Sequence, residues 1–387
     1  MKINAYKRMD GRVGIRNHVV VMPGVLCAEV AAKKIVQETE GTTFLYNQVG
    51  CGQNQKDKRT TLDVLSGMIA NGNVYGALIV GLGCETIQKE EYLEAIKKKT
   101  GKPVYYISIQ EEGGIANTVK AGKAIAEKLR QEADKCRREE VDISELFLGL
   151  ECGGSDPTSG LSCNTVLGKV TDYLIDANGT AAMSETAEAI GAEHILRERG
   201  RTPEIGQQIY DAIVKWERDR YEESGEDIRA GNPSPGNIAG GITTLSEKSL
   251  GCIHKSGSRP FDGCYEYGEL IEGKGLYFIN AAAFDVVNTV ALVASGAQLV
   301  AFTTGRGNPI GNPIAPVVKI TGNHEAAIRF ADFIDLDTSE SLSGKKSFDE
   351  LSREMLEYMV RVCNGEPVKA EINGACEMAV NQINSYS

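Results

Sequence analysis

A chain of 387 residues with 42 % apolar content is long enough to bury two or three cores and is not a disordered polymer. Its formal net charge of −11 argues against a sequence-independent grip on nucleic acid or on an anionic membrane surface. Met1 to Asp10 carries no secretory pattern, and the longest apolar run, around 290–302, is too short and too interrupted to span a bilayer. We therefore expect a cytoplasmic protein whose ten scattered cysteines are reduced thiols.

From His18 to about Lys135 short apolar runs alternate with amphipathic stretches. The runs are HVVVMPGV, TTFLYNQ, VYGALIVGLG and PVYYISIQ, and helices are predicted at about 28–38, 60–71, 89–99 and 113–134. Strands so uniformly apolar belong in a parallel sheet covered by helices on both faces, and residues 1–135 read as a Rossmann-like α/β domain. Ligands collect at the carboxyl ends of such strands, where Cys27, Cys51 and Cys84-Glu85 stand. The charged stretch 135–145 reads as a solvated connection. A second α/β domain, 145–387, follows. It has strands at LFLGLE, near Ala181, at 276–279, at LVAFTT and at PVVKI, and helices at about 159–177, within 187–222, from Phe284 and over 348–363. Residues 224–257, rich in Gly, Asn, Ser and Pro, read as a long active-site loop.

Cys51, Cys84 and Cys152 each follow an apolar strand beside glycine. Three thiolates suit one iron or a cluster with an open fourth iron, and each also suits a small buried residue, since no C-x-x-C pair is present. Glu85, Glu151, Asp156 and Glu185 end strands in the same way. Each reads either as a base or metal ligand, or as a helix cap, the latter reading being strongest for Asp156 and for Glu188. Lys248, Lys255 and Arg306 are cations embedded in Gly/Ser/Thr-rich segments, suited to gripping a carboxylate, with lysine also able to act as a base. His194 reads as structural, while His18 and His254 remain candidates. Neither G-x-G-x-x-G nor the P-loop pattern occurs, which disfavours nucleotide binding.

DGRVGIRN at 10–17, GCGQ at 50–53, GLGCE at 81–85, ECGGSD at 151–156, SET and GAEH at 184–194, NPSPGN through GGITTLSEKSLG at 232–251 and FTTGRGNPIG at 302–311 resemble, in order, the catalytic core of the altronate and galactarate dehydratases. The resemblance covers about residues 6–320 and implies an iron-dependent hydro-lyase of carbohydrate catabolism, acting on a sugar acid to give a 2-keto-3-deoxy acid. Relatives include the large subunit of a sulfolactate sulfo-lyase, so loss of sulfite from a small 2-hydroxy acid is the alternative reading, and a non-catalytic sugar-acid sensor a third. In this reading Glu151, Glu185, Lys248 and Arg306 are catalytic, and Arg16, Ser155, Asp156, Asn237, Thr244, Lys255 and Thr304 bind substrate. Cys51, Cys84 and Cys152 hold the iron, as mononuclear Fe²⁺ or a [4Fe–4S] cluster. Family members often carry a small SAF domain, which implies a separate small SAF-domain subunit here; we also expect an oligomer. The sequence departs from the family in YNQVGCGQ, where Asn47 and Val49 stand in place of a common histidine.

Overall fold

The computed structural model describes residues 1–382, in two α/β units and a small antiparallel sheet. In the first unit, β1 (Lys2–Lys7) pairs with β2 (Val13–Gly14). Strands β3 (His18–Pro23), β4 (Thr42–Phe44), β5 (Val74–Gly81) and β6 (Val104–Ser108) form a parallel sheet in the order β4-β3-β5-β6. Strand β7 (Glu139–Asp142) runs antiparallel to β1, so the stretch read as a solvated connection contains a strand. Its outward residues are charged and only Val141 is buried, which is why the sequence reads as surface.

The second unit is built on a seven-stranded parallel sheet. Its strands are β8 (Phe147–Cys152), β9 (Thr180–Met183), β10 (Phe261–Glu266), β11 (Gly275–Asn280), β12 (Leu299–Thr303), β13 (Val317–Thr321) and β14 (Leu336–Asp337), in the order β10-β11-β9-β8-β12-β13-β14. Strands β8, β9, β12 and β13 are buried at every residue, as a sheet sandwiched by helices requires. The chain moves outward from β8 to β9 and to the edge strand β10, steps back to β11, then returns across β8 to β12. That reversal opens a crevice at the carboxyl ends of β8 and β12, the place where such sheets bind ligands.

The segment 224–257 is not an open loop. It folds into short helices at Ile228–Gly231 and Pro235–Ala239 and a longer one at Leu245–Ile253, whose first turn is capped by Thr244 Oγ1 accepting from the Glu247 amide at 3.1 Å. The two units share one apolar core, in which Val20, Met22 and Leu65 pack with Val290, Leu292 and Phe302. Helix Gln55–Ala70 meets helix Asp285–Ala294 so closely that a Cβ on Gly67 would lie 2.4 Å from the Ala294 carbonyl oxygen. Asn71 and Asn73 bolt this contact from the first unit, donating to the carbonyls of Val293, Ala297, Gln298 and Ile314.

Candidate active site

A cleft of about 1140 Å³ opens where helix Gln55–Ala70 and helix Pro203–Ser224 face the carboxyl ends of the large sheet. Among its lining residues are Gly153, Glu188, Asn237, Lys248 and Asp285. Lys248 Nζ donates to Glu188 Oε1 at 2.5 Å and to Asn232 Oδ1 at 3.1 Å. Behind this pair lies a second, wholly buried one, Lys255 Nζ to Glu185 Oε2 at 2.6 Å, with the same ammonium 3.1 Å from Cys252 Sγ. Helical geometry explains the pairing of cations with one wall. Lys248, Cys252 and Lys255 are spaced i, i+4 and i+7, which puts them on one face of the capped helix and its 3₁₀ extension. The acids come from the opposing turn after β9, where Glu185 holds φ at +71°. A left-handed conformation costs a non-glycine residue about 1–2 kcal/mol, strain of the kind stored at functional sites.

Glu151 and Cys152 end β8. Asn288, on helix Asp285–Ala294, donates to Glu151 Oε2, and Cys152 Sγ lies 3.3 Å from Ser155 Oγ. A hydrogen bond from the Cys252 thiol holds Cys152 down to about 5 against the opposing effect of burial, with help from the Lys255 ammonium; the same bond and burial push Cys252 well above the usual thiol range. Burial pushes Glu151 and Glu185 well above the carboxylate range, reinforced by the charges of Glu185 on the first and of Glu188 on the second. Burial and then Glu188 raise Asp285 to about 6. Burial alone would lower both lysines, but Glu188 facing Lys248, and Cys252 with Glu185 facing Lys255, more than offset it and keep both ammonium groups charged.

Two groups of side chains have ligand atoms within 4.8 Å of one another, Cys152 with Glu188 and Cys252, and Glu151 with Glu185 and Asp285. Glu151 Oε1, Glu185 Oε1 and Glu188 Oε2 are buried without a hydrogen-bond partner. Acids outnumber the two lysines in this set, and an unpartnered buried carboxylate oxygen is costly unless a cation meets it. Two thiols, one held deprotonated, and a carboxylate form a donor set that fits iron.

The structure brings together Glu151, Cys152, Glu185, Lys248 and Lys255 of the residues singled out in the sequence. Cys51 and Cys84 are exposed in the first unit and belong to neither tight group. Arg306 is exposed beside the crevice, its backbone amide donating to the Gly154 carbonyl at 2.8 Å. Asn237 is buried and donates to the Ser155 carbonyl at 2.9 Å, while Thr304 accepts from the Gly307 amide at 2.9 Å and so shapes the Gly-rich turn. Other expected substrate contacts are engaged elsewhere. Arg16 forks onto Glu371 at 2.7 and 2.8 Å and reaches the Val362 and Glu366 carbonyls, clamping the C-terminal segment. Asp156 caps the turn at Thr158 and Ser159 and accepts from Asn323, and Thr244 is the helix cap described above. Glu85 locks its own loop through the Leu82 and Gly83 amides and the Tyr106 hydroxyl. Asn47, in the stretch before the GCG motif, is fully buried and donates to the Pro23 and Gly24 carbonyls. Four residues of the site were missed: Glu188, read as a helix-start charge, and Cys252, Asp285 and Asn288, which were not singled out.

An α/β fold with an acid- and thiol-rich crevice at the sheet's reversal point defines a small-molecule enzyme site. Residues 5–134 match the family described as D-galactarate dehydratase/altronate hydrolase, second domain, and residues 143–385 match D-galactarate/altronate dehydratase, C-terminal. The chain belongs to the D-galactarate/altronate dehydratase family and is an enzyme of the carbon–oxygen lyase class. It is 35 % identical to an altronate dehydratase of Bacillus subtilis over 97 % of this chain and 76 % of the relative. It is 34 % identical to the altronate dehydratase of Escherichia coli over 98 % and 77 %, and 33 % identical to a (2R)-sulfolactate sulfo-lyase subunit beta of Chromohalobacter salexigens over 98 % and 96 %. Among the described residues no helix is long and apolar enough to cross a membrane.

Proposed function

We propose that this enzyme removes water from a polyhydroxy sugar acid, an aldonate or aldarate such as altronate or galactarate, to give a 2-keto-3-deoxy acid. The observation that carries the reading is the Lys248–Glu188 pair beside Asp285 on the cleft wall, backed by the buried Lys255–Glu185 pair. Elimination from a 2-hydroxy acid needs a grip on the carboxylate, a base for the C2 proton and a proton for the departing C3 hydroxyl. Arg306 supplies the grip. Asp285, held near 6, takes the C2 proton, and the Lys248 ammonium protonates the hydroxyl as the C3–O bond breaks and the C2–C3 double bond forms. The enol then becomes the keto acid, and proton exchange with solvent resets both groups. Glu185 and Lys255 are positioning residues that fix the wall. Iron, the metal the family implies, would be held by Cys152, Glu188 and Cys252 and would supply a Lewis-acidic positive charge beside the anionic substrate.

A separate small subunit carrying a SAF domain is part of this reading, as is work in the cytoplasm. The relative named as a subunit beta is matched over 96 % of its length, and that name supports an enzyme of more than one chain. That same relative favours a second reading, release of sulfite from a small 2-hydroxy acid such as sulfolactate. Incubation with a panel of aldonates, aldarates and sulfolactate, scored for 2-keto acid and for sulfite, separates the two. Keto acid from a sugar acid, abolished by Asp285→Asn and Lys248→Met, supports the dehydratase; sulfite from sulfolactate with no sugar acid turned over sinks it in favour of the second reading.

A further inference from the structure

We propose that Cys27, Cys51 and Cys84 form a second metal site, a three-thiolate cradle for an iron–sulfur cluster at the carboxyl edge of the four-stranded sheet. From β3 the chain passes first to β4 on one side and then to β5 on the other, so this sheet has its own reversal point between β3 and β5. Cys27 lies on the loop leaving β3, Cys51 on the loop leaving β4 and Cys84 on the loop leaving β5.

Backbone contacts stitch the three loops together. The Leu26 amide donates to the Val49 carbonyl at 3.0 Å, which sets Cys27 beside the Cys51 loop. The Ile87 amide donates to the Gly50 carbonyl at 3.3 Å, and Thr86 Oγ1 accepts from the Gly52 amide at 3.3 Å and donates to Cys51 Sγ at 3.6 Å, which sets the Cys84 loop on its other side. The approach is close enough to demand glycine: a Cβ on Gly50, at φ +104°, would lie 2.3 Å from the Gly24 carbonyl oxygen.

Exposure is the second observation. Free cysteine is among the most buried residue types, so three solvent-facing thiols on adjoining loops stand out. Of the cysteines among the described residues only Cys27, Cys51, Cys84 and Cys376 are exposed, and three of these four stand on these adjoining loops. The trio forms no group as tight as the two in the second unit, whose ligand atoms lie within 4.8 Å of one another. A single ion needs its ligands that close; a cluster, in which each iron takes its own thiolate, needs them farther apart. Three thiolates leave one iron of a four-iron cluster for a non-protein ligand. The Thr86 hydroxyl is placed to tune the Cys51 sulfur, since hydrogen bonds to ligand sulfurs set cluster properties. Lys56, five residues beyond Cys51, lines the cleft.

This site goes beyond the elimination reading and does not depend on it. The test is anaerobic reconstitution of the full chain with ferrous iron and sulfide, measuring bound iron, acid-labile sulfide and visible charge-transfer absorption. We expect about four sulfides per chain with matching iron. Cys27→Ser, Cys51→Ser and Cys84→Ser, all exposed and checked for parental thermal unfolding, should each lose the sulfide and the colour. Cys152→Ser and Cys376→Ser should keep both. No sulfide in the parent, iron without sulfide, or full sulfide in any one of the three loop variants overturns the cradle. Loss of iron without loss of sulfide in Cys152→Ser bears instead on the metal reading of the second unit, which keeps the two readings distinguishable.

Discussion

The Lys255 ammonium donates to the Glu185 carboxylate across 2.6 Å, and both side chains are fully shielded from solvent. Such a pair stabilises little relative to an apolar replacement, but removing one partner leaves a buried charge uncompensated. Here the penalty is compounded, because Glu188 and Cys152 also press negative charge on Glu185. Lys255→Met should therefore cost about 3–5 kcal/mol in urea denaturation. Lys255→Met combined with Glu185→Gln should recover a substantial part of that loss. Equal stability of the single and double variants would show that the pair is not coupled.

Asp285 gives the site a pH dependence whose sign follows from its raised value. An acid at about 6 in the folded chain and near 4 when unfolded binds more protons when folded, so its contribution to stability is full below about 4 and is lost as pH rises through about 6. Activity runs the other way, because the base must be ionised. We expect kcat/KM to rise through an apparent value of about 6. Asp285→Asn should lose the activity and should flatten the stability difference between pH 4 and pH 7. An unchanged acidic limb in a variant that still turns over would assign the base elsewhere.

Arg16 illustrates how a motif residue can serve the fold. Its guanidinium is shared among Glu371, Val362 and Glu366, and Glu371 in turn accepts from the Val368 amide. A charge-assisted hydrogen bond contributes about 1.5–3 kcal/mol. Arg16→Ala should lower stability by at least about 2 kcal/mol while leaving KM within about twofold at a temperature where the variant is folded. A large rise in KM with parental thermal unfolding would return Arg16 to the substrate.

Legibility in this sequence followed burial. Strands β3, β5, β8 and β12 are apolar on both faces, and short continuous runs such as VYGALIVG and LVAFT, rich in β-branched residues, fit sheet interior. Strands β1 and β7 went unread because they pair only with each other and β2 and carry charges on their open face, so their alternation resembles solvated chain. The helices within 224–257 were hidden by Gly and Pro, although Thr244 three residues before Glu247 was a readable cap. In the site, strand ends pointed to Glu151, Cys152 and Glu185. Cys252 and Glu188 could have been found from spacing, since Lys248-x-x-x-Cys252-x-x-Lys255 traces one helical face and Glu185-x-x-Glu188 one tight turn. What spacing could not supply was which cysteines meet: Cys51 and Cys84 carry the same Gly-flanked signature as Cys152 but end strands of a different sheet.

Arg306 separates binding from folding most cleanly. Among the described residues its guanidinium has no ion-pair or hydrogen-bond partner, and the side chain is exposed, yet its backbone is fixed by the Gly154 carbonyl at 2.8 Å and its turn by Thr304. A cation held in place without an internal partner is available to an anionic substrate, and its loss removes no structural contact. Arg306→Ala should therefore unfold at the parental temperature while kcat/KM falls about 10- to 100-fold, the worth of one charge-assisted interaction with a carboxylate. Arg306→Lys should restore only part of the loss, since an ammonium cannot reproduce the two-pronged contact of a guanidinium. Full activity in Arg306→Ala would remove this residue from the site and leave Lys248 as the cleft's one buried cation facing the substrate.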